Sequence, residues 1–187
     1  MHTLTRTTVV TADPDAVWQI IGKFGGLADW HPLLPPSVIE DGADPETPGA
    51  VQAFSVNGQV VIREQLLEKD DSRRMFRYTI HESVVPVSDY VSMLSVHPHE
   101  AGAEIRWAAT YEAADEHVPE IEKHFGDNIY TTGLDALKER FALPAPVLSG
   151  VSCAKPEAKG CDGDGDGAVK DVRPLVEARV SICRRRG

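Results

Sequence analysis

Two periodicities divide the chain. Between about residues 37 and 112 apolar and polar side chains alternate with a period of two, and on either side apolar positions recur every three to four residues. The first pattern places successive side chains on opposite faces of a strand, and the second lines one face of a helix. The alternation predicts strands over 37–42, 49–57, 59–69, 73–82, 88–97 and 103–113, with a Thr- and Val-rich strand over 3–11 ahead of them. Asn57-Gly58, between two alternating runs, is the strongest hairpin signal, and Asp70-Asp71-Ser72 and Glu100-Ala101-Gly102 supply further turns. Asp13-Pro14-Asp15 reads as a helix start, with Asp13 as N-cap and Pro14 at the first helical position. Val17, Ile20, Ile21 and Phe24 give that helix its apolar face; Gly25-Gly26 stops it, and a second short turn carries Leu27 to Trp30.

The longest helical pattern comes last, over 119–141. Ile121, Phe125, Ile129, Gly133, Leu137 and Phe141 share a face, while Glu120, Glu122, Lys123, Asp127, Asp135, Lys138 and Glu139 populate the solvated side. Thr132, Gly133 and Ala136 are small where a filled core would want Leu or Phe, and Gly costs about 1 kcal/mol against Ala inside a helix. Either the helix packs closely onto a strand there, or it leaves room for a ligand. Strand, two short helices, a run of strands and one long helix predict an α+β domain: a curved antiparallel sheet of about seven strands wrapped around the last helix.

After Phe141 the pattern fades. Leu143-Pro144-Ala145-Pro146 ends the helix, and Ser149 to Lys170 is rich in Gly, Asp and Lys. One domain over 1–143 and a flexible tail over 144–187 is the expected organisation. At 187 residues, 42% hydrophobic and 26% charged, the chain suits a single globular core. A net charge of −10 argues against nucleic acid as a partner, since phosphate binding needs a basic surface. No run approaches the roughly 18 apolar residues of a membrane span, and the first residues lack a signal-peptide layout, so the cytoplasm is the expected location. Cys153, Cys161 and Cys183 all fall in the tail, which is no disulfide framework for the core.

Parity selects the candidate chemistry. In strand 59–69 the set Val60, Ile62, Glu64 and Leu66 is the more apolar, which sends Glu64 among core residues. A buried carboxylate needs a partner or takes up a proton. Three readings stay open: a structural carboxylate satisfied by a hydroxyl or backbone group, a polar group lining a pocket, or a bulge that turns Glu64 outward. Tyr78, Tyr90, Trp107 and Tyr111 sit on the inward sets of their strands, an apolar lining with a few polar tips. Tyr90 shares its set with Ser92, Leu94 and Val96. Trp30-His31-Pro32 lies where the helical pair hands over to the sheet, at the mouth of such a cavity, and His31 is either an acid–base group or a side chain shaping the opening. Ile129 and Gly133 face the same space from the last helix. The candidate catalytic residues are therefore Glu64, His31 and Tyr78. The candidate ligand-binding residues are Trp30, Glu64, Tyr78, Tyr90, Trp107, Tyr111, Ile129 and Gly133. Asp162-Gly163-Asp164-Gly165-Asp166-Gly167 imitates the start of a calcium loop, but Arg173 stands where a bidentate acid belongs. His97 and His99 have the spacing of a metal pair without acidic or Cys company. No metal and no cofactor is expected.

These residues together resemble a known group. Asp13-Pro14-Asp15-Ala16-Val17-Trp18, Trp30-His31-Pro32, Pro48-Gly49, Glu64-Gln65-Leu66, Asp70, Tyr78, Tyr90 and Trp107 are laid out as in the START-like (SRPBCC) helix-grip superfamily, which includes polyketide cyclases and dehydrases, pollen-allergen-like carriers and the plant abscisic-acid receptors. The resemblance covers about residues 3–141 and is greatest to bacterial polyketide cyclase/dehydrase-like proteins. It implies a helix-grip fold and a small hydrophobic or aromatic ligand held between sheet and long helix. Cyclisation or dehydration of a polyketide-like substrate is one implied activity, and non-catalytic carriage or sensing is the alternative. A monomer or homodimer is expected. In the receptors, cavity-lining glutamate and tyrosine positions match Glu64 and Tyr90. Their gate-loop motifs are missing from Glu82-Ser83-Val84-Val85-Pro86, and their ligand-anchoring lysine has no counterpart between Pro35 and Val38, which speaks against hormone sensing.

Overall fold

The alternating segments are realised as seven strands: β1 (His2–Val10), β2 (Ser37–Ile39), β3 (Val51–Val56), β4 (Gln59–Asp70), β5 (Met75–Ser83), β6 (Ser88–His99) and β7 (Gly102–Glu112). This computed structural model describes residues 1–83 and 85–142; the calcium-loop-like stretch, the three cysteines and the rest of 143–187 lie outside the described residues. All pairings are antiparallel, in the order β1-β7-β6-β5-β4-β3-β2. From β2 to β7 the sheet is a simple meander, and β1 returns to pair with β7. At the β3–β4 hairpin Asn57 and Gly58 both take positive φ, 53° and 77°, as a two-residue turn between right-twisted strands demands.

The expected parity survives with one correction. The β3–β4 register shifts between Phe54 and Ser55, so that one extra β4 residue, Val61, intervenes; β4 also shifts against β5 on both sides of Glu64-Gln65-Leu66. An extra residue reverses the alternation beyond it. Val60, expected inside, is 39% exposed, whereas Glu64 and Leu66 are buried. On β6 the set Tyr90, Ser92, Leu94 and Val96 is buried, as parity required.

The first helix, α1 (Pro14–Ile21), begins where its sequence says: the Asp13 carboxylate accepts from the Asp15 and Ala16 amides at 2.8 and 3.4 Å. A 3₁₀ turn follows at Phe24–Asp29. The last helix is continuous over 118–142 but not uniform. It passes from α2 (Val118–Ile121) through a π-helical stretch (Glu122–Thr131) into α3 (Thr132–Ala142). Arg6 on β1 bonds both Glu122 and Asp127, at 3.2 and 3.1 Å. Residues five apart diverge by about 140° on an α-helix and share a side only when the turn is wider. The Thr131 and Thr132 hydroxyls also reach back five residues, to the Gly126 and Asp127 carbonyls. The widened turns rotate Tyr130 into the core beside Phe125, where a 3.6-residue period places it off the inner face.

Candidate functional site

Where the sheet faces the π-helical stretch, the core is aromatic and polar at once. Trp107 of β7 stacks on Tyr130, with centroids 4.4 Å apart and an interplanar angle of 11°. The Trp107 indole N–H lies between the Tyr78 hydroxyl, at 3.0 Å, and Ser92 Oγ, at 3.2 Å. Ser92 Oγ is 2.8 Å from the Tyr130 hydroxyl, which in turn bonds the Tyr90 hydroxyl. Register explains the cluster, because Tyr78 and Ser92 are directly opposed on β5 and β6, and Trp107 lies on β7 two residues from Ala109, the partner of Ser92. Burial holds the Tyr78, Tyr90 and Tyr130 hydroxyls well above the usual tyrosine range, so all three keep their protons.

Beside this network lies Glu64, 8% exposed. Its Oε2 accepts from Gln52 Nε2 at 2.8 Å, its one hydrogen bond among the described residues. Gln52 is the cross-strand partner of Glu64 on β3 and is fully buried. Ser37 Oγ donates to the other end of the Gln52 amide at 3.0 Å. Desolvation raises the Glu64 carboxyl from 4.5 to about 7, with the Gln52 bond pulling the other way. Near neutral pH such a group gives and takes a proton with little bias.

Glu64 and the tyrosines surround a void lined from the sheet by Phe54, Ile62, Glu64, Tyr78, Tyr90 and Trp107. Phe125, Ile129 and Tyr130 line it from the long helix, and Leu27 and Leu34 at its end. Its volume is about 20 Å³. That is room for about one water, against the several hundred Å³ of a typical ligand pocket. The ligand-sized cavity expected from the sequence is not open in this structure, where two of the rings that line it, Tyr130 and Trp107, stack on one another.

The expected site residues separate into two groups. Glu64, Tyr78, Tyr90, Trp107 and Ile129 meet at the void. Trp30, His31, Gly133 and Tyr111 do not line it. His31 is 2% exposed and occupied at both nitrogens: Nε2 is 2.8 Å from the Ile129 carbonyl, and Nδ1 is 3.2 Å from the amides of Leu33 and Leu34. A carbonyl only accepts and an amide only donates, so the ring is neutral with its proton on Nε2. Burial lowers its pKa accordingly. His31 ties the segment bearing Leu34 to the long helix; it has no spare nitrogen for acid–base work. Gly133 answers the question of the small residues, since a Cβ there would stand 2.5 Å from His31 Cδ2 and 3.1 Å from Trp30 Cζ3. The space is taken by two side chains from the end of the 3₁₀ turn, not by a strand or a ligand. Tyr111 stacks with His2 instead, 5.4 Å between centroids, and its hydroxyl has no partner among the described residues. His97 and His99 bond Ser95 Oγ and the Ala101 amide respectively.

Residues 1–142 match the family described as "Polyketide cyclase / dehydrase and lipid transport". The chain belongs to that family. This polyketide cyclase/dehydrase family member is similar to a Thermobifida fusca protein solved by NMR, with 32% identity, a TM-score of 0.70, and coverage of 75% of this chain and 93% of that one. XoxI from Bacillus cereus is similar at 31% identity and TM-score 0.63, over 75% of this chain and 96% of its own. The Zhui aromatase/cyclase of Streptomyces sp. R1128 shares the fold at 18% identity and TM-score 0.55, over 74% of this chain and 92% of its own. No curated protein matches the chain. The helix-grip architecture of the family is the one found here, with the sheet holding the long helix. Among the described residues no helix is long and apolar enough to cross a membrane.

Proposed function

We propose that this family member binds a small, largely apolar or aromatic molecule between the sheet and the long helix, with Glu64 moving a proton in a cyclisation, dehydration or related step. The observation that carries the reading is a carboxyl buried among aromatic rings, poised to about 7, with a single hydrogen-bond partner among the described residues. A carboxylate needed only for structure is normally surrounded by donors, whereas Glu64 faces a void and three tyrosines that keep their protons. Tyr78 and Tyr90 supply hydroxyl donors for a carbonyl oxygen, and Trp107, Phe125 and Ile129 the apolar walls. Non-catalytic carriage is the second reading. It is favoured by a tyrosine network that already satisfies itself, as suits a site made to hold an apolar guest.

Native mass spectrometry of protein purified from its own host identifies the molecule that travels with it. Glu64→Gln, tested with that molecule, then assigns the carboxylate. An anchoring role weakens binding by about 1.5–3 kcal/mol, the size of a hydrogen bond to a charged group. An acid–base role leaves affinity largely intact and slows turnover about 100-fold or more. Unchanged binding and unchanged turnover would overturn the site.

A further inference from the structure

Glu64 presents a problem that burial alone does not solve. A group that changes charge inside a core must be hydrogen-bonded in both states, because an unmatched buried polar group is costly whichever state lacks its partner. Ionised, Glu64 only accepts; protonated, it carries one donor. Most neighbours suit one state and not the other. A backbone amide or an arginine favours the carboxylate, and a carbonyl favours the acid.

Gln52 suits both. It is fully buried, faces Glu64 in register across β3–β4, and reaches it at 2.8 Å through Nε2, while its Oε1 accepts from Ser37 Oγ at 3.0 Å. Ser37 opposes Phe54, two residues along β3 from Gln52, which puts the hydroxyl diagonally across from the amide. Turned over about its last bond, the same amide sets Oε1 against Glu64 and Nε2 against Ser37 Oγ. A carboxylic O–H then donates to Oε1, the NH₂ donates to Ser37, and the Ser37 proton swings away. The Glu64–Gln52 and Gln52–Ser37 bonds are both kept in either arrangement, and no proton leaves Gln52 or Ser37. A hydroxyl at the far end makes this possible, because it donates in one state and accepts in the other.

Among the described residues no fixed charge intrudes from the surrounding elements. Tyr78 on β5, Tyr90 on β6 and Tyr130 on the long helix are the titratable groups that face Glu64, and all three remain protonated. Arg63, adjacent in sequence, is instead paired with Glu40 and Glu82. We propose that Gln52 is the positioning residue of this site, an amide that turns over with the Glu64 proton and keeps the carboxyl usable as base and as acid, with Ser37 as its pivot. The inference rests on Glu64 acting in proton transfer, and its test is made on the ligand-free protein so that the two stand or fall separately.

The side-chain amide of Gln52 and the carboxyl of Glu64 are followed by NMR from pH 5 to 9. The expected result is one shared midpoint. Gln52→Leu, which supports neither state, is expected to raise the Glu64 midpoint by about tenfold in proton affinity, because only the carboxylate loses a charge-assisted bond. Ser37→Ala is expected to move it the same way by less, and Gln52→Asn, if its shorter amide still reaches, to restore part of it. A Gln52 amide that ignores the Glu64 transition in the unaltered protein overturns the proposal, whether or not the variants fold. A shared midpoint beside a Glu64→Gln variant of normal turnover and affinity keeps the coupling and overturns the function proposed for Glu64 instead.

Discussion

At the scale of single residues, the carboxyl of Glu64 has a cost that depends on pH. Its folded-state pKa of about 7 lies above the ordinary 4.5, so between those values the folded chain holds a proton that the unfolded chain has released. Stability is therefore greatest at the acidic side of that window and falls as pH rises through it, by on the order of 3 kcal/mol in all. Urea unfolding of Glu64→Gln is expected to show more stability than the unaltered protein at pH 8 and to lose the slope between about pH 5 and 7. Equal slopes would mean that the carboxyl is solvated. Glu64 was legible in the sequence because it shares parity with Ile62 and Leu66. Gln52 shares the inward set of its strand with Phe54, two residues on, but the sequence reading did not single it out. For His31 the sequence left an acid–base and a structural role open, and the three backbone groups around its ring favour the structural one.

Elements were predicted nearly to their ends wherever a turn residue marks them, as at Asp13, Asn57-Gly58 and Gly102. The long helix was found but its winding was not, since a period of 3.6 cannot register ten residues that turn more widely. Tyr130 was missed in consequence. The available signal was non-local, an arginine on β1 with two acids five apart. Gly133 lies just past those wide turns, where the helix touches Trp30 and His31. Gly133→Ala is expected to lower stability by about 1–3 kcal/mol through overpacking, despite a helix propensity that favours Ala by about 1 kcal/mol. Thermal unfolding checks this, and in a His31→Ala background the same change should cost clearly less, because the obstructing ring is gone.

For the whole molecule, the described sheet and helix enclose their own core, from Leu4 on β1 to Leu137 on the last helix. The family match also ends at residue 142. A chain ending at Pro146 is accordingly expected to melt within about two degrees of the full-length protein; a drop of many degrees would show that 147–187 contributes to the fold. The architecture was legible as a whole because alternation, turns and one long amphipathic helix admit few ways of burying every apolar face. The state of the interior was not, since the same aromatic residues serve equally to line a space or to fill it. Here they fill it to about 20 Å³, and that has a kinetic meaning for any guest of the site. A guest larger than a water needs a form in which the rings lining the void have moved apart. Were that form about one part in a hundred, the measured affinity would fall about a hundredfold below the intrinsic one. Departure needs the same parting, so opening gates both arrival and escape, and the guest's own contacts set how seldom the occupied form opens.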